Sequence, residues 1–241
     1  DDSQARVERD DDNSVQSSSQ LKLGMMVELQ SSRPDDSTNR ASASVIRFGS
    51  EIVGPIESVN AAASTLVVLG QTIEIKSNTV FDDSLTGGFA GLTAGLVVEI
   101  HALLDGTTGN YVATRIEDKV GATLFRLRGL VSNLDTTAKT FSIGSAVISY
   151  ATVAAVDLPN NLANGNRVRV QLQTTQVNGQ WVASAVRSGV KRVADFNDAK
   201  VRGLVSAFTS PQALEINGLK VDASSASFEP NAAAVVLGAR V

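Results

Sequence analysis

Leu92-Thr93-Ala94-Gly95-Leu96-Val97-Val98-Glu99-Ile100 decides the fold, because the chain repeats its skeleton four times. An apolar residue, a glycine three places on and a valine three beyond that recur as Leu21, Gly24, Val27; Leu92, Gly95, Val98; Leu162, Gly165, Val168; and Val235, Gly238, Val241. The glycines lie 95 − 24 = 71, 165 − 95 = 70 and 238 − 165 = 73 residues apart. A nearly constant period with constant internal spacing means one small unit copied in tandem. After each glycine apolar and polar residues alternate, as in Val98-Glu99-Ile100, the period of a strand with one face in a core.

Working outward, three further elements keep the same order. Gly54-Pro55-Ile56-Glu57-Ser58, Gly129-Leu130-Val131-Ser132 and Gly203-Leu204-Val205-Ser206 open the units, at spacings of 129 − 54 = 75 and 203 − 129 = 74. A hairpin glycine follows in Leu69-Gly70-Gln71, Ile143-Gly144-Ser145 and Asn217-Gly218-Leu219. Ala43-Ser44-Val45-Ile46, Ala113-Thr114-Arg115-Ile116 and Ala183-Ser184-Ala185-Val186 close the units. Asn217-Gly218 and Asn178-Gly179 are strong hairpin signals, since a type I′ turn needs positive φ at both central residues.

One unit reads as a strand, a hairpin of two more, a long connection with a short helical turn (77–94), and a final hairpin. That is the order of a five-stranded OB-type barrel, whose closure removes exposed edges. A two-layer sandwich of short strands is the alternative. The expected fold is all-β, with two whole units at 50–119 and 125–190. Residues 1–49 match the second half of a unit and 199–241 the first half. Ile73, Ile75, Val98, Ile100, Val168 and Val170 are expected inside, with Glu74, Glu99, Arg167 and Arg169 facing water. Leu66, Val68, Phe141 and Ile143 read as core. Ser14–Ser19 reads as a flexible connection.

Composition agrees with a folded chain: 43% hydrophobic, 19% charged, 5% aromatic and 19 glycines. A net charge of −4 gives no global positive field to gather phosphate backbones. Cysteine is absent, which removes disulfides and thiolate metal sites. No apolar run is long enough for a membrane-spanning helix.

Chemistry is sparse. His101 is the single histidine and has no local catalytic or metal motif around it, so a rim or surface position is expected. No nucleophile elbow, phosphate loop or dinucleotide fingerprint occurs, and a non-enzymatic chain without a cofactor is expected. Asp10, Asp11 and Asp12 are the best candidates for Ca²⁺, a hard cation that takes oxygen ligands. They lack the alternating arrangement of a calcium loop, and solvated aspartates are the simpler reading. Arg126, Arg128 and the Lys191-Arg192 pair are local charges, too few for a nucleic-acid patch without exposed aromatic platforms. Tyr111 and Trp181 start the last strands of their units, where they can stack on a sugar or form cross-strand pairs.

The opening Gly-x-[IV] phrase, the apolar–Gly hairpin, Leu-x-x-Gly-x-x-Val and the closing Ala-x-x-[IV] together resemble domain of unknown function 5666. The resemblance covers nearly the whole chain through structural residues. It implies a small barrel used in tandem in exported or envelope-associated bacterial proteins, and it carries no catalytic or binding positions.

The half units raise one more expectation. An incomplete barrel exposes apolar surface and a bare edge, which a strand from a neighbour covers. With the halves at opposite ends, such contacts run head-to-tail between copies and build a filament. Val27 and Leu29 of one copy are then expected beside Val205 and Leu214 of the next, with strand four interrupted at Val241. A stretch cut from a longer array is the competing reading. The functional expectation is therefore a structural, extracellular or cell-envelope protein. A carbohydrate- or small-ligand-binding OB module, with surface polysaccharide as partner, is the alternative.

Overall fold

The computed structural model describes residues 1–10, 13–32, 40–189, 205–216, 219–229 and 231–239. Every regular element in them is a strand or a short 3₁₀ turn. Residues 1–191 form one compact unit and 192–241 a second.

The first whole repeat contains β5 (Ile52–Asn60), β6 (Thr65–Val68), β7 (Gln71–Glu74), β8 (Val80–Phe81), β9 (Val97–Leu104) and β10 (Tyr111–Asp118). It follows β1 (Arg6–Arg9), β2 (Val15–Gln16), β3 (Val27–Ser31) and β4 (Ala43–Phe48). β5 pairs with β6, β6 with β7, β7 in parallel with β10, β10 with β9 and β9 back to β5. The circuit closes, with the strand order and single parallel contact of an OB barrel. The second whole repeat has β11 (Phe125–Leu130), β12 (Ser132–Asp135), β13 (Thr140–Ile143), β14 (Ala146–Ser149), β15 (Arg167–Val177) and β16 (Gln180–Ser188). It closes the same way, with β11 and β12 sharing the part of strand one and β14 running parallel to β16.

The repeated glycine phrase has a double task. Gly24, Gly95, Gly165 and Gly238 all hold φ between +79° and +89°, where a side chain costs roughly 1 kcal/mol or more. The turn that this allows brings strand four back onto strand one. Gly95 N–H donates to Ile56 O at 2.8 Å, and Ile56 N–H to Leu96 O at 2.9 Å. Gly165 with Val131 and Gly238 with Val205 repeat the contact, and Asn166 and Ala239 stand where Leu96 does. The two most regular phrases of the sequence are thus hydrogen-bonded to each other. Asn178 (φ +51°) and Gly179 (φ +75°) make the type I′ hairpin that their sequence predicts. Asn217-Gly218 lies outside the described residues.

The inward side chains are those that the alternation assigns. Ile73, Val98, Ile100 and Val168 are fully buried, and Ile75, Val170, Leu66, Val68, Phe141 and Ile143 are buried with them. Each such aliphatic side chain contributes about 1.5–3 kcal/mol on leaving water. Tyr111 and Trp181 also sit inside the barrels; Trp181 meets Phe125 edge-on at 5.7 Å, and the Tyr111 hydroxyl donates to the Arg128 carbonyl.

The two barrels meet head to head. Strand one of each pairs antiparallel with strand one of the other, Ile52 opposite Leu127 and Val53 opposite Arg126. Ile52 and Leu127 are equivalent positions, each two before the opening glycine, so the joint has a local two-fold character. The hairpin tips repeat it: Ser145 N–H and Oγ donate to Gly70 O at 3.2 and 2.9 Å, and Gln71 Nε2 donates to Ile143 O at 2.6 Å. A single hydrophobic cluster runs through both barrels.

In the first fifty residues β3 and β4 form a hairpin, with β1 parallel to β4 and β2 beyond it. β1 pairs with Val45 and Ile46 as β8 pairs with Arg115 and Ile116. The serine-rich stretch Ser14–Ser19 is not a loose connection: it forms β2 and a 3₁₀ turn (Ser18–Gln20) capped by the Ser17 hydroxyl. In the second compact unit, β17 (Val205–Ser210), β18 (Ala213–Ile216) and β19 (Leu219–Asp222) form a three-stranded sheet over Val205, Leu214 and Ile216.

Candidate functional site

Strand β9 departs from the alternation: Val98, Glu99, Ile100, His101 and Ala102 are all buried. Val98, Ile100 and Ala102 face the barrel interior. Glu99 and His101 face outward, as their parity requires, yet the half repeat covers that outer face. Glu99 is 4% exposed and His101 1% exposed. The expectation that Glu99 meets water, and the rim position expected for His101, are both corrected by this covering layer. Glu74 is half-buried, paired with Lys76 at 2.6 Å.

The seam is charged throughout. Arg9 lies 3.6 Å from Glu99, whose other oxygen meets Lys119. Arg115 reaches Asp82 at 2.7 Å, Glu117, and the Leu23 carbonyl at 3.2 Å. Lys22 joins Asp82 at 3.1 Å. Burial disfavours the charge on Glu99, but the Lys119 and Arg9 cations outweigh it and hold the carboxyl below its usual range. The hydroxyl and N–H of Ser84, with Lys22, bring Asp82 down to about 2.

Next to Arg9, Asp10 crosses to the other barrel. Its carboxylate meets Arg128 and lies 3.6 Å from Arg169. Glu51, on the link into the first barrel, pairs with Arg128 at 3.2 Å and Arg167 at 2.8 Å. Burial works against the charge of Arg128, while Glu51 and Asp10 hold it above the ordinary guanidinium value. The Arg9–Asp10 turn thus clasps both barrels, its cation on an acidic face and its anion on a basic one. Arg167 and Arg169 do point outward, as expected, but are half-buried in this network.

Asp10 therefore serves guanidinium groups, which a Ca²⁺ ion would have to displace; Asp11 and Asp12 lie outside the described residues. Among the described residues no cluster of three or more His, Asp or Glu could hold a metal ion. Val27 and Leu29 are 43% and 57% exposed on β3, whereas Val205 and Leu214 are buried within the second unit. Val241, Lys191 and Arg192 lie outside the described residues. Arg126 and Arg128, which look like isolated charges in the sequence, stand beside Arg167, Arg169 and Arg187 on one sheet face. Only the pairing of β11, β15 and β16 makes that grouping visible.

His101 gives a pH test of the seam. Neither ring nitrogen has a hydrogen-bond partner by strict geometry. Burial pushes its pKa below 6.5, against the pull of Glu99, Glu117 and the nearby Gly49 backbone, while Arg115 adds to the lowering. A histidine kept neutral by folding stabilises the protein fully above the unfolded value; that stability drains away as pH falls to and through the folded value. The urea midpoint should therefore fall as the pH drops below 6.5, before the carboxylates begin to titrate. His101→Gln should flatten this decline; a slope unchanged in the variant would assign it to other groups.

No curated protein matches the chain. A solved structure titled "drosophila Unr CSD456" aligns at 15% identity over 69% of this chain and 77% of that one, with a TM-score of 0.23, too loose a likeness to bear on function. Within the first whole barrel, residues 53–117 match the family described as "Domain of unknown function (DUF5666)", which this repeat resembles.

Proposed function

We propose that the chain is a non-enzymatic structural array of the bacterial cell envelope or exterior, whose copies join head-to-tail by strand complementation into a filament. One observation carries the reading. Val27 and Leu29 are 43% and 57% exposed, while Val98 and Ile100, their equivalents in the whole barrel, are completely buried. In the whole barrel β5 covers that face by pairing with β9. No described strand pairs with the outer edge of β3. β17 of another copy carries the same strand-one phrase and has an edge to offer. The join would bury two aliphatic side chains and a ladder of backbone groups, the pattern of β-augmentation.

The test is solution size. Light scattering should show assemblies that grow with concentration, and Leu29→Asp or deletion of residues 199–241 should leave single chains. A wild-type chain that stays monomeric at every concentration, or assemblies indifferent to both changes, would sink the proposal.

A further inference from the structure

We propose that the first half repeat is an acid-released cover, which protonation of His101 opens as one unit while both barrels stay folded. Its attachment differs from the joint between the barrels. β1 to β4 make a sheet of their own, and among the described residues none of them pairs with a barrel strand. Val7, Ile46 and Phe48 form a hydrophobic cluster separate from the one that runs through both barrels. The contacts that fasten the half repeat are polar: Arg9 to Glu99, Lys22 to Asp82, Arg115 to the Leu23 carbonyl, and Asp10 to Arg128. Among the described residues, the buried side-chain atoms without a hydrogen-bond partner by strict geometry are Ser50 Oγ, both His101 ring nitrogens and Arg128 Nε. All of them lie along this seam, so desolvation is least offset there. A joint without shared strands or a shared core is where part of a protein opens while the rest stays folded.

His101 is the only histidine in the chain, and so the seam's natural sensor of pH near neutrality. Its ring sits outward on β9 beneath the cover and is 1% exposed. The charged groups around it are already matched. Glu99, on the same strand, meets Arg9 of the cover and Lys119. On β10, Glu117 is held by Arg115, which also meets Asp82 and sets its own positive charge against the ring. On the β5 side, Glu51 is taken up by Arg128 and Arg167. Within the cover, Glu8 pairs with Arg6 and Arg47, and Arg47 lies near Glu28. The Gly49 backbone, on the link, is the remaining neighbour that favours a charged ring. Protonation thus adds an unmatched charge where water is excluded, and lifting the cover hydrates it. The ring favours the covered state above about pH 6.5 and loses that hold as pH falls. Off the barrel, a cluster built on Val7, Ile46 and Phe48 is too small to keep the half repeat folded, so β1 and β4 lose their protection together.

The test is amide exchange of the full chain from about pH 7.5 to about pH 5, corrected for the pH dependence of the chemical exchange itself. Protection of β1 and β4 should fall about tenfold for each pH unit below about 6.5, the slope of a single proton taken up on opening. Protection of β6 and β13, and the fluorescence of Trp181, should hold over the same range. His101→Gln and His101→Leu should each leave the protection of β1 and β4 flat. Leucine suits the site because the ring nitrogens have no partners to lose. The wild-type slope is read without either variant. Protection of β1 and β4 that does not change with pH would overturn the proposal. So would an equal fall in either variant, or barrel strands that open along with the cover.

Discussion

Ile73→Ala is expected to destabilise both barrels together, by about 3 kcal/mol, although Ile73 belongs to only one of them. Its side chain is fully buried between β6 and β10, so alanine leaves a cavity that closed strands can fill only in part. The signal to follow is Trp181, the single tryptophan, which packs on Phe125 in the other barrel. Backbone pairing of β5 with β11 and the shared hydrophobic cluster tie the two cores into one. The tryptophan transition should move down by roughly 10 °C, in step with the loss of strand signal by circular dichroism. A Trp181 transition that stays in place while an earlier phase appears in the backbone signal would mean that the barrels melt separately.

The second large effect is expected at Arg128. Its side chain is 15% exposed and binds Glu51 and Asp10, whose side chains are 11% and 17% exposed. Arg128→Met leaves both carboxylates without their shared cation. Orphaning a buried charge costs roughly 3–5 kcal/mol. Arg167 and Arg169 still reach the same carboxylates, so a loss of about 2 kcal/mol is expected. The half repeat should also loosen, visible as faster proteolysis within the first fifty residues. Adding Glu51→Gln should recover most of the loss, since the cost lies in the unpaired charge rather than in the absent bond. A single variant as stable as the wild type would remove the clasp from the account of how the half repeat is held.

The repeat, its strands and the inward set of side chains were legible because they depend on local rules. Period-two alternation names Ile73, Val98 and Val168 as core whatever lies outside the barrel. A glycine that must hold positive φ marks the same turn in every copy. Parity also gave Glu99 and His101 their outward direction correctly. It could not give their burial, because direction is a property of one strand, whereas burial depends on what packs over it. Residues 1–50 pack there, and they turn an outward glutamate into the partner of Arg9 and Lys119.

The candidate site was less legible for a related reason. Arg126, Arg128, Arg167, Arg169 and Arg187 are scattered over sixty residues, and each pair looks like an ordinary solvated edge. Only cross-strand register stacks them. Alternation, turn chemistry and the seventy-residue period belong to the sequence by itself, since each is settled within a few bonds of the residue concerned. The head-to-head joint of Ile52 with Leu127, the clasp of Arg9 and Asp10 and the arginine face were decided by tertiary structure, because charge and desolvation act through space between residues far apart in the chain.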